Sequence, residues 1–306
     1  MVRIYQNLLS EGVSRLKAHN IEDGIFNARE LLGKALSVDC RSNKFDLLLE
    51  KEVSADIEKA FFDILERRIQ GEPLQYLIGE WEFYGLPFKV GRGVLIPRQD
   101  TETIVDTVLK KMKGKKDIIF ADLCSGSGCI ALAVEKHLSC REIYCVEKSA
   151  KAAGYLRENI SLNNSHAKAV EGDILDSKIV ESIPECDLIT ANPPYLTQND
   201  MNSLQKEVRF EPETALFGGS DGLDFYRNII RLWKSRLKEN GMIAFEIGMG
   251  QEDEVMKMLV QHGFVNVRCT ADLCGVNRCV FGFKPKAVQE IGQKIDFDKL
   301  SRQTDS

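Results

Sequence analysis

Apolar positions change their period twice along the chain. Over 4–18 they fall at Ile4, Leu8, Leu9, Val13 and Leu16, the spacing of a helix with one buried face. The same spacing returns over 25–36 and 57–69, the latter reading IEKAFFDILERRI. Gly71 and Pro73 then stop the pattern. Residues 73–97, PLQYLIGEWEFYGLPFKVGRGVLIP, are aromatic and β-branched, with Gly79, Gly85, Gly91 and Gly93 as punctuation. That composition predicts a β-hairpin linker. Ile104, Val105, Val108, Leu109 and Met112 predict a helix over 101–113. From residue 117 the pattern alternates strand and helix, with strands expected at 118–122, 143–147, 167–172, 187–191, 242–247, 265–269 and 279–283. Alternation of this kind predicts an α/β fold with a doubly wound, mainly parallel sheet. The expected organisation is a helical domain at 1–71, a hairpin linker at 72–97, an α/β domain at 98–284 and a flexible polar tail at 285–306.

Composition narrows the function classes. With 306 residues, 43% hydrophobic and 28% charged, the chain can build a full core without staples. No apolar run approaches the ~20 residues of a membrane span, and residues 1–20 carry no signal-peptide core. The formal net charge of −5 gives no overall pull toward phosphate backbones. Residues 1–71 hold eleven Lys/Arg against twelve Asp/Glu, so they are not a basic nucleic-acid arm. Nine cysteines, an odd number without CxxC pairs, predict reduced thiols in a cytoplasmic protein. Cys269, Cys274 and Cys279 recur every five residues but have no histidine near, so no metal is expected.

The first strand of the α/β half runs into ADLCSGSGCIALA. Gly126, Gly128 and Ala131 fit GxGxxG/A between a strand and a helix, where backbone can approach a ligand at a helix N-terminus. A dinucleotide dehydrogenase shows the same spacing. Asp122 at the strand end would repel a pyrophosphate and attract a sulfonium, which favours S-adenosylmethionine; the bland alternative is a solvated carboxylate capping the turn. Glu147, 19 residues after Gly128, stands where a carboxylate accepts from ribose hydroxyls. Asp173 could receive an adenine amino group and Ile174 cover a ring face; Asp173 could equally cap a turn.

Another strand runs straight into Asn192-Pro193-Pro194-Tyr195. Two prolines forbid helix and remove two N–H donors, and the residue before proline is held extended. The result is a stiff, acceptor-rich turn at the carboxyl end of a parallel strand, where α/β ligands bind. Such a turn suits a planar NH₂ acceptor. The Asn192 carbonyl and a Pro-Pro backbone carbonyl can accept its two N–H bonds, fixing the nitrogen and stabilising its developing charge. Tyr195 can stack on the planar group. No base need act before transfer, in keeping with His137, His166 and His262, which read as surface or packing residues without partners.

Over residues 4–284 the chain resembles the release factor glutamine methyltransferases, the HemK-type protein methyltransferases. The matching stretches are PLQYLIGEWEFYGLPF at 73–88, LIPRQDTE at 95–102, DLCSGSGCIALA at 122–133, NPPY at 192–195, EVRFEPETALFGGSDGLDFYRNII at 207–230, FEIG at 245–248 and DLCGVNR at 272–278. The resemblance implies a class I, Rossmann-like methyltransferase fold with a seven-stranded sheet behind a helical substrate-recognition domain. It implies S-adenosyl-L-methionine as donor, S-adenosyl-L-homocysteine as product, and the GGQ-loop glutamine of a peptide chain release factor as acceptor, with effect on translation termination. Cys124, Ser125, Gly126, Ser127, Gly128 and Glu147 would hold the cofactor, and Asn192 to Tyr195 the glutamine amide. The chain departs from common family residues at Gln99 (proline), Cys124 (glycine), Glu147 and Asn277 (both aspartate), and Ile174 stands where an aromatic often flanks adenine. The expected enzyme is monomeric, with a protein partner and neither nucleic acid nor membrane. The rivals are an adenine-N6 nucleic-acid methyltransferase, a ribosomal-protein glutamine methyltransferase, a non-catalytic nucleotide-binding module and an NAD dehydrogenase.

Overall fold

Buried leucines and phenylalanines draw the first helices together. α1 (Tyr5–Ala18), α2 (Gly24–Leu36), α3 (Asn43–Leu48) and α4 (Ala55–Ile69) enclose Leu8, Leu16, Leu31, Leu32, Phe45, Phe61 and Leu65, all fully buried. Ser42 and Ser54 start α3 and α4 by accepting the N–H groups of Phe45 and Ile57. This is a computed structural model, and it describes residues 3–286; the expected tail from 287 onward lies outside the described residues.

The linker differs from its expected form. Leu74–Ile78 is a short helix, α5, ended by Gly79 in the left-handed region. Only β1 (Glu80–Phe83) and β2 (Leu86–Lys89) pair as a hairpin, and 90–98 runs on without regular structure. The aromatic and β-branched run read as strand throughout, yet one turn of helix buries Leu74, Tyr76 and Leu77 better, so packing overrode local preference.

Beyond the linker the elements are α6 (Glu102–Lys111), β3 (Ile118–Leu123), α7 (Cys129–His137), β4 (Cys140–Glu147), α8 (Ala150–Leu162), β5 (Lys168–Glu171), α9 (Ser177–Ser182) and β6 (Cys186–Ala191). They continue with α10 (Gln198–Asn202), α11 (Asp224–Trp233), β7 (Leu237–Glu246), α12 (Glu252–Gln261), β8 (Val265–Ala271) and β9 (Asn277–Phe283). The seven strands β3–β9 form one sheet in the order β5-β4-β3-β6-β7-β9-β8, with β9 antiparallel to both neighbours and the other pairs parallel. All six residues of β3 are buried, as a central strand covered on both faces requires. Strand order reverses between β3 and β6, so connections leave in opposite directions there and open a crevice at their carboxyl ends. The fold is that of a class I methyltransferase, with the helical region and the small hairpin ahead of the sheet.

Candidate functional site

The crevice is a cavity of about 740 Å³ at the carboxyl ends of β3, β4 and β6. Of the residues expected at the site, it brings together Cys124, Ser125, Gly126, Ser127, Glu147, Asp173, Ile174, Asn192 and Pro194 on its wall. Asp122, Gly128, Pro193 and Tyr195 stand behind that wall: none of the four is among the lining residues.

Glu147 ties the glycine loop to β4. One carboxylate oxygen accepts the Gly126 N–H and the other the Ser149 N–H, both at 2.8 Å. Burial pushes its pKa up, while these N–H groups pull it down. Each oxygen keeps a second lone pair for a hydroxyl donor. Gly128 caps the start of α7 at φ +84°, a backbone conformation that favours glycine, and a Cβ there would also crowd the tip of Leu156 at 2.6 Å. Cys124 adopts φ +56°, the left-handed region, without being glycine. Burial drives its thiol up, and that of Cys129, also on the wall, up to about 12, so neither is a thiolate nucleophile near neutrality.

Asp122 is neither solvated nor a turn cap through its side chain. It is 1% exposed, its Oδ1 accepts from the Thr190 hydroxyl at 2.6 Å, and its Oδ2 has no partner. Burial raises its pKa to about 7, with the Thr190 bond opposing. Asp122 does not line the cavity. Asp173 caps the next turn through the Leu175 N–H (2.9 Å) and pairs with Lys148 (2.8 Å). Burial raises its pKa, but these partners outweigh that and hold it below the usual carboxylate value. Ile174 is 4% exposed and its carbonyl accepts from the buried Trp233 indole at 2.9 Å.

The turn after β6 is braced from two sides. Gln251 donates to the Tyr195 carbonyl (3.1 Å) and the Gly222 carbonyl (3.3 Å), and accepts from the Gly248 N–H (2.9 Å). Leu196 N–H donates to the Leu216 carbonyl, and Gly218 N–H to the Leu196 carbonyl, both at 2.8 Å. A Cβ on Gly218 would lie 2.6 Å from the Pro194 carbonyl oxygen, so the two segments touch through backbone.

Sequence reasoning missed much of the opposite wall. Residues 93–97, Thr101 and a stretch including Pro212, Glu213, Thr214, Ala215 and Phe217 line the cavity. Glu211, buried, holds two of these walls together: it accepts the Ile96 N–H (3.1 Å) and pairs with Arg98. The signal available is LIPRQDTE and the FEP…ALFGG run, which the family resemblance marks without giving either a task. The histidines are not unpartnered as expected: His166 meets Glu135 (2.5 Å) and the Cys140 carbonyl, His262 bonds the Met258 carbonyl, and His137 packs edge-on to Tyr84. None lines the cavity.

Among the described residues no helix is long and apolar enough to cross a membrane, and no group of three or more His, Cys, Asp or Glu could hold a metal ion.

Comparison with known proteins agrees with this geometry. Residues 7–79 match the family described as PrmC N-terminal domain, and 99–211 match the Methyltransferase small domain. A release factor glutamine methyltransferase of Thermodesulfovibrio yellowstonii is 39% identical over 86% of this chain and 94% of its own length. One from Clostridium botulinum is 36% identical over 90% and 98%. A methyltransferase structure from Pyrococcus furiosus superposes with a TM-score of 0.50 at 17% identity, covering 67% of this chain and 91% of that one, a likeness of fold.

Proposed function

The chain belongs to the release factor glutamine methyltransferases, and on that premise we propose how its cavity performs the transfer. The donor is S-adenosylmethionine and the acceptor the side-chain amide nitrogen of the GGQ glutamine in a peptide chain release factor, with the enzyme acting as a cytoplasmic monomer. The cavity supports such a donor. Its volume lies within the range of roughly 300–1,000 Å³ usual for small-molecule sites. Glu147 offers spare lone pairs to a ribose, and Asp173 a carboxylate oxygen toward the adenine side. Ile174 supplies an aliphatic rather than aromatic cover. When bound, S-adenosylmethionine supplies an electrophilic methyl carbon on a sulfonium and leaves as S-adenosylhomocysteine.

The chain's own residues then have three tasks. The Asn192 carbonyl and a carbonyl of the Pro-Pro segment accept the two N–H bonds of the glutamine amide. This holds the nitrogen lone pair toward the methyl and drains charge as it develops. The brace by Gln251 and 216–218 keeps that turn from yielding. Tyr195 belongs to the same stiff turn and is its anchor point, its carbonyl accepting from Gln251. Orientation can supply roughly 7–11 kcal/mol of the barrier and one preorganised polar contact roughly 3–4 kcal/mol, so positioning dominates.

The observation that carries the reading is Asn192 on the same cavity wall as Gly126 and Glu147. Labelled S-adenosylmethionine with purified release factor tests it. Label should enter wild-type factor and be lost when the GGQ glutamine is replaced; equal labelling of both excludes this acceptor.

A further inference from the structure

We propose that Glu246 is a positioning residue that fixes which way the Asn192 carboxamide faces. This rests on the transfer reading above and deepens it. Ala191 pairs with Phe245, so Asn192 and Glu246 come next at the ends of adjacent parallel strands. Glu246 is 3% exposed, and its Oε2 has no partner. Thr101 and Asn192 neighbour its carboxylate and favour its charged form. Both of those residues line the cavity, whereas Glu246 does not. It therefore touches the site only through them.

The chemistry decides the orientation. An asparagine carboxamide has one accepting face and one donating face, and nothing in its own shape selects between them. An ionised carboxylate can only accept. With Glu246 ionised, Asn192 turns its NH₂ inward and its carbonyl oxygen outward, where an amide N–H of the acceptor can reach it. A protonated Glu246 can instead donate to the Asn192 oxygen, presenting the NH₂ to a substrate that itself brings N–H donors. The grip then fails. The buried negative charge also lies one side chain away from the nitrogen that becomes positive.

Burial raises the pKa of Glu246 to about 7, with Thr101, Arg278 and Asn192 pulling it down and Asp100 pushing it up. The charged or titratable groups that bear on it are Asp100 ahead of α6, Cys129 on α7, Tyr195 after β6, Tyr226 on α11, and Cys279 and Arg278 on β9. Arg278 is itself engaged by Asp100 at 2.7 Å and Asp272 at 3.2 Å. The thiols and phenols are pushed up by burial and stay neutral; Asp122, behind the same wall and also raised to about 7, is bonded to Thr190, so Glu246 is the group whose charge change near neutral pH bears on Asn192. Methyl transfer should rise with pH through about 7.

The test compares wild type, E246Q, E246D, N192A and the E246Q/N192A double variant on release factor. Readouts are kcat against pH, affinity for S-adenosylmethionine and melting temperature. E246Q should lose roughly ten- to a hundredfold in kcat at pH 8, about the worth of one charge-assisted hydrogen bond. It should also lose the acid limb near pH 7, while cofactor affinity holds and the melting temperature does not fall. E246D should recover part of the rate. In the N192A background E246Q should change kcat less than about twofold, because the group it positions is gone. Wild-type kcat and an unchanged acid limb in E246Q would overturn the proposal, as would losses that multiply in the double variant. Wild-type enzyme that labels no release factor would instead overturn the acceptor reading itself.

Discussion

Cys124 carries local strain that a glycine would avoid. An L-residue in the left-handed region costs roughly 1–2 kcal/mol, and glycine there costs roughly 0.5–1 kcal/mol through entropy of the unfolded chain. Cys124→Gly should therefore leave the urea midpoint close to wild type. Cys124→Val, β-branched at positive φ, should lose roughly 1–2 kcal/mol or more. Equal midpoints for both variants would show that the loop relaxes out of this conformation. Asn277 illustrates a departure that the structure explains. Its Nδ2 donates to Glu252 at 3.1 Å, where an aspartate would set carboxylate against carboxylate. Gln99 sits exposed in a short turn, and nothing in the structure explains it.

At the scale of elements, the NPPY turn is held by the residue that precedes α12, which does not line the cavity. Gln251, just before α12, joins the Tyr195 and Gly222 carbonyls to Gly248, and the Tyr226 hydroxyl bonds the Glu246 carbonyl at 2.9 Å beside it. Gln251→Ala should lower kcat roughly tenfold or more, with cofactor affinity little changed, because it loosens the acceptor turn and spares the glycine loop. Parallel measurement of kcat and of calorimetric affinity checks this; a loss confined to affinity would contradict it. The strands were legible because central parallel strands are apolar on both faces, as in IIFADL at 118–123. The glycine loop and the NPPY turn were legible because glycine and proline constrain backbone locally. The role of 211–219 was not. That stretch has no period, and Glu211 gains its meaning only from Ile96 and Arg98, more than a hundred positions away. Gln251 was invisible for the same reason.

Across the whole molecule, half-buried ion pairs fasten the helical region to Arg92 and Glu207. Arg68, 5% exposed, donates to Asn27 (2.7 Å), the Glu72 carbonyl (3.2 Å) and Glu207 (2.6 Å). Glu72 joins Arg67 (2.8 Å) to Arg92 (3.0 Å), chiefly the Arg67 bond holding its pKa down to about 2. A depressed folded pKa stabilises above the unfolded value near 4.3, and that stability is lost as pH falls toward 2. Asp122 and Glu246 act in the opposite sense. Their folded pKa values near 7 favour the fold below about 4, and that contribution is lost as pH rises through 7. Melting temperature should therefore peak at about pH 4 and fall from there toward about pH 7. Glu72→Gln should flatten the acid side and Asp122→Asn the neutral side. A melting temperature still climbing from pH 6 to 8 would contradict the burial of these two carboxylates.

The most direct measurement is methyl transfer by Asn192→Ala, with turnover on release factor and affinity for S-adenosylmethionine determined on the same preparation. A turn that grips the acceptor amide predicts a loss of about 10²–10³ in turnover with cofactor binding largely intact. Turnover near wild type would mean the amide is held elsewhere.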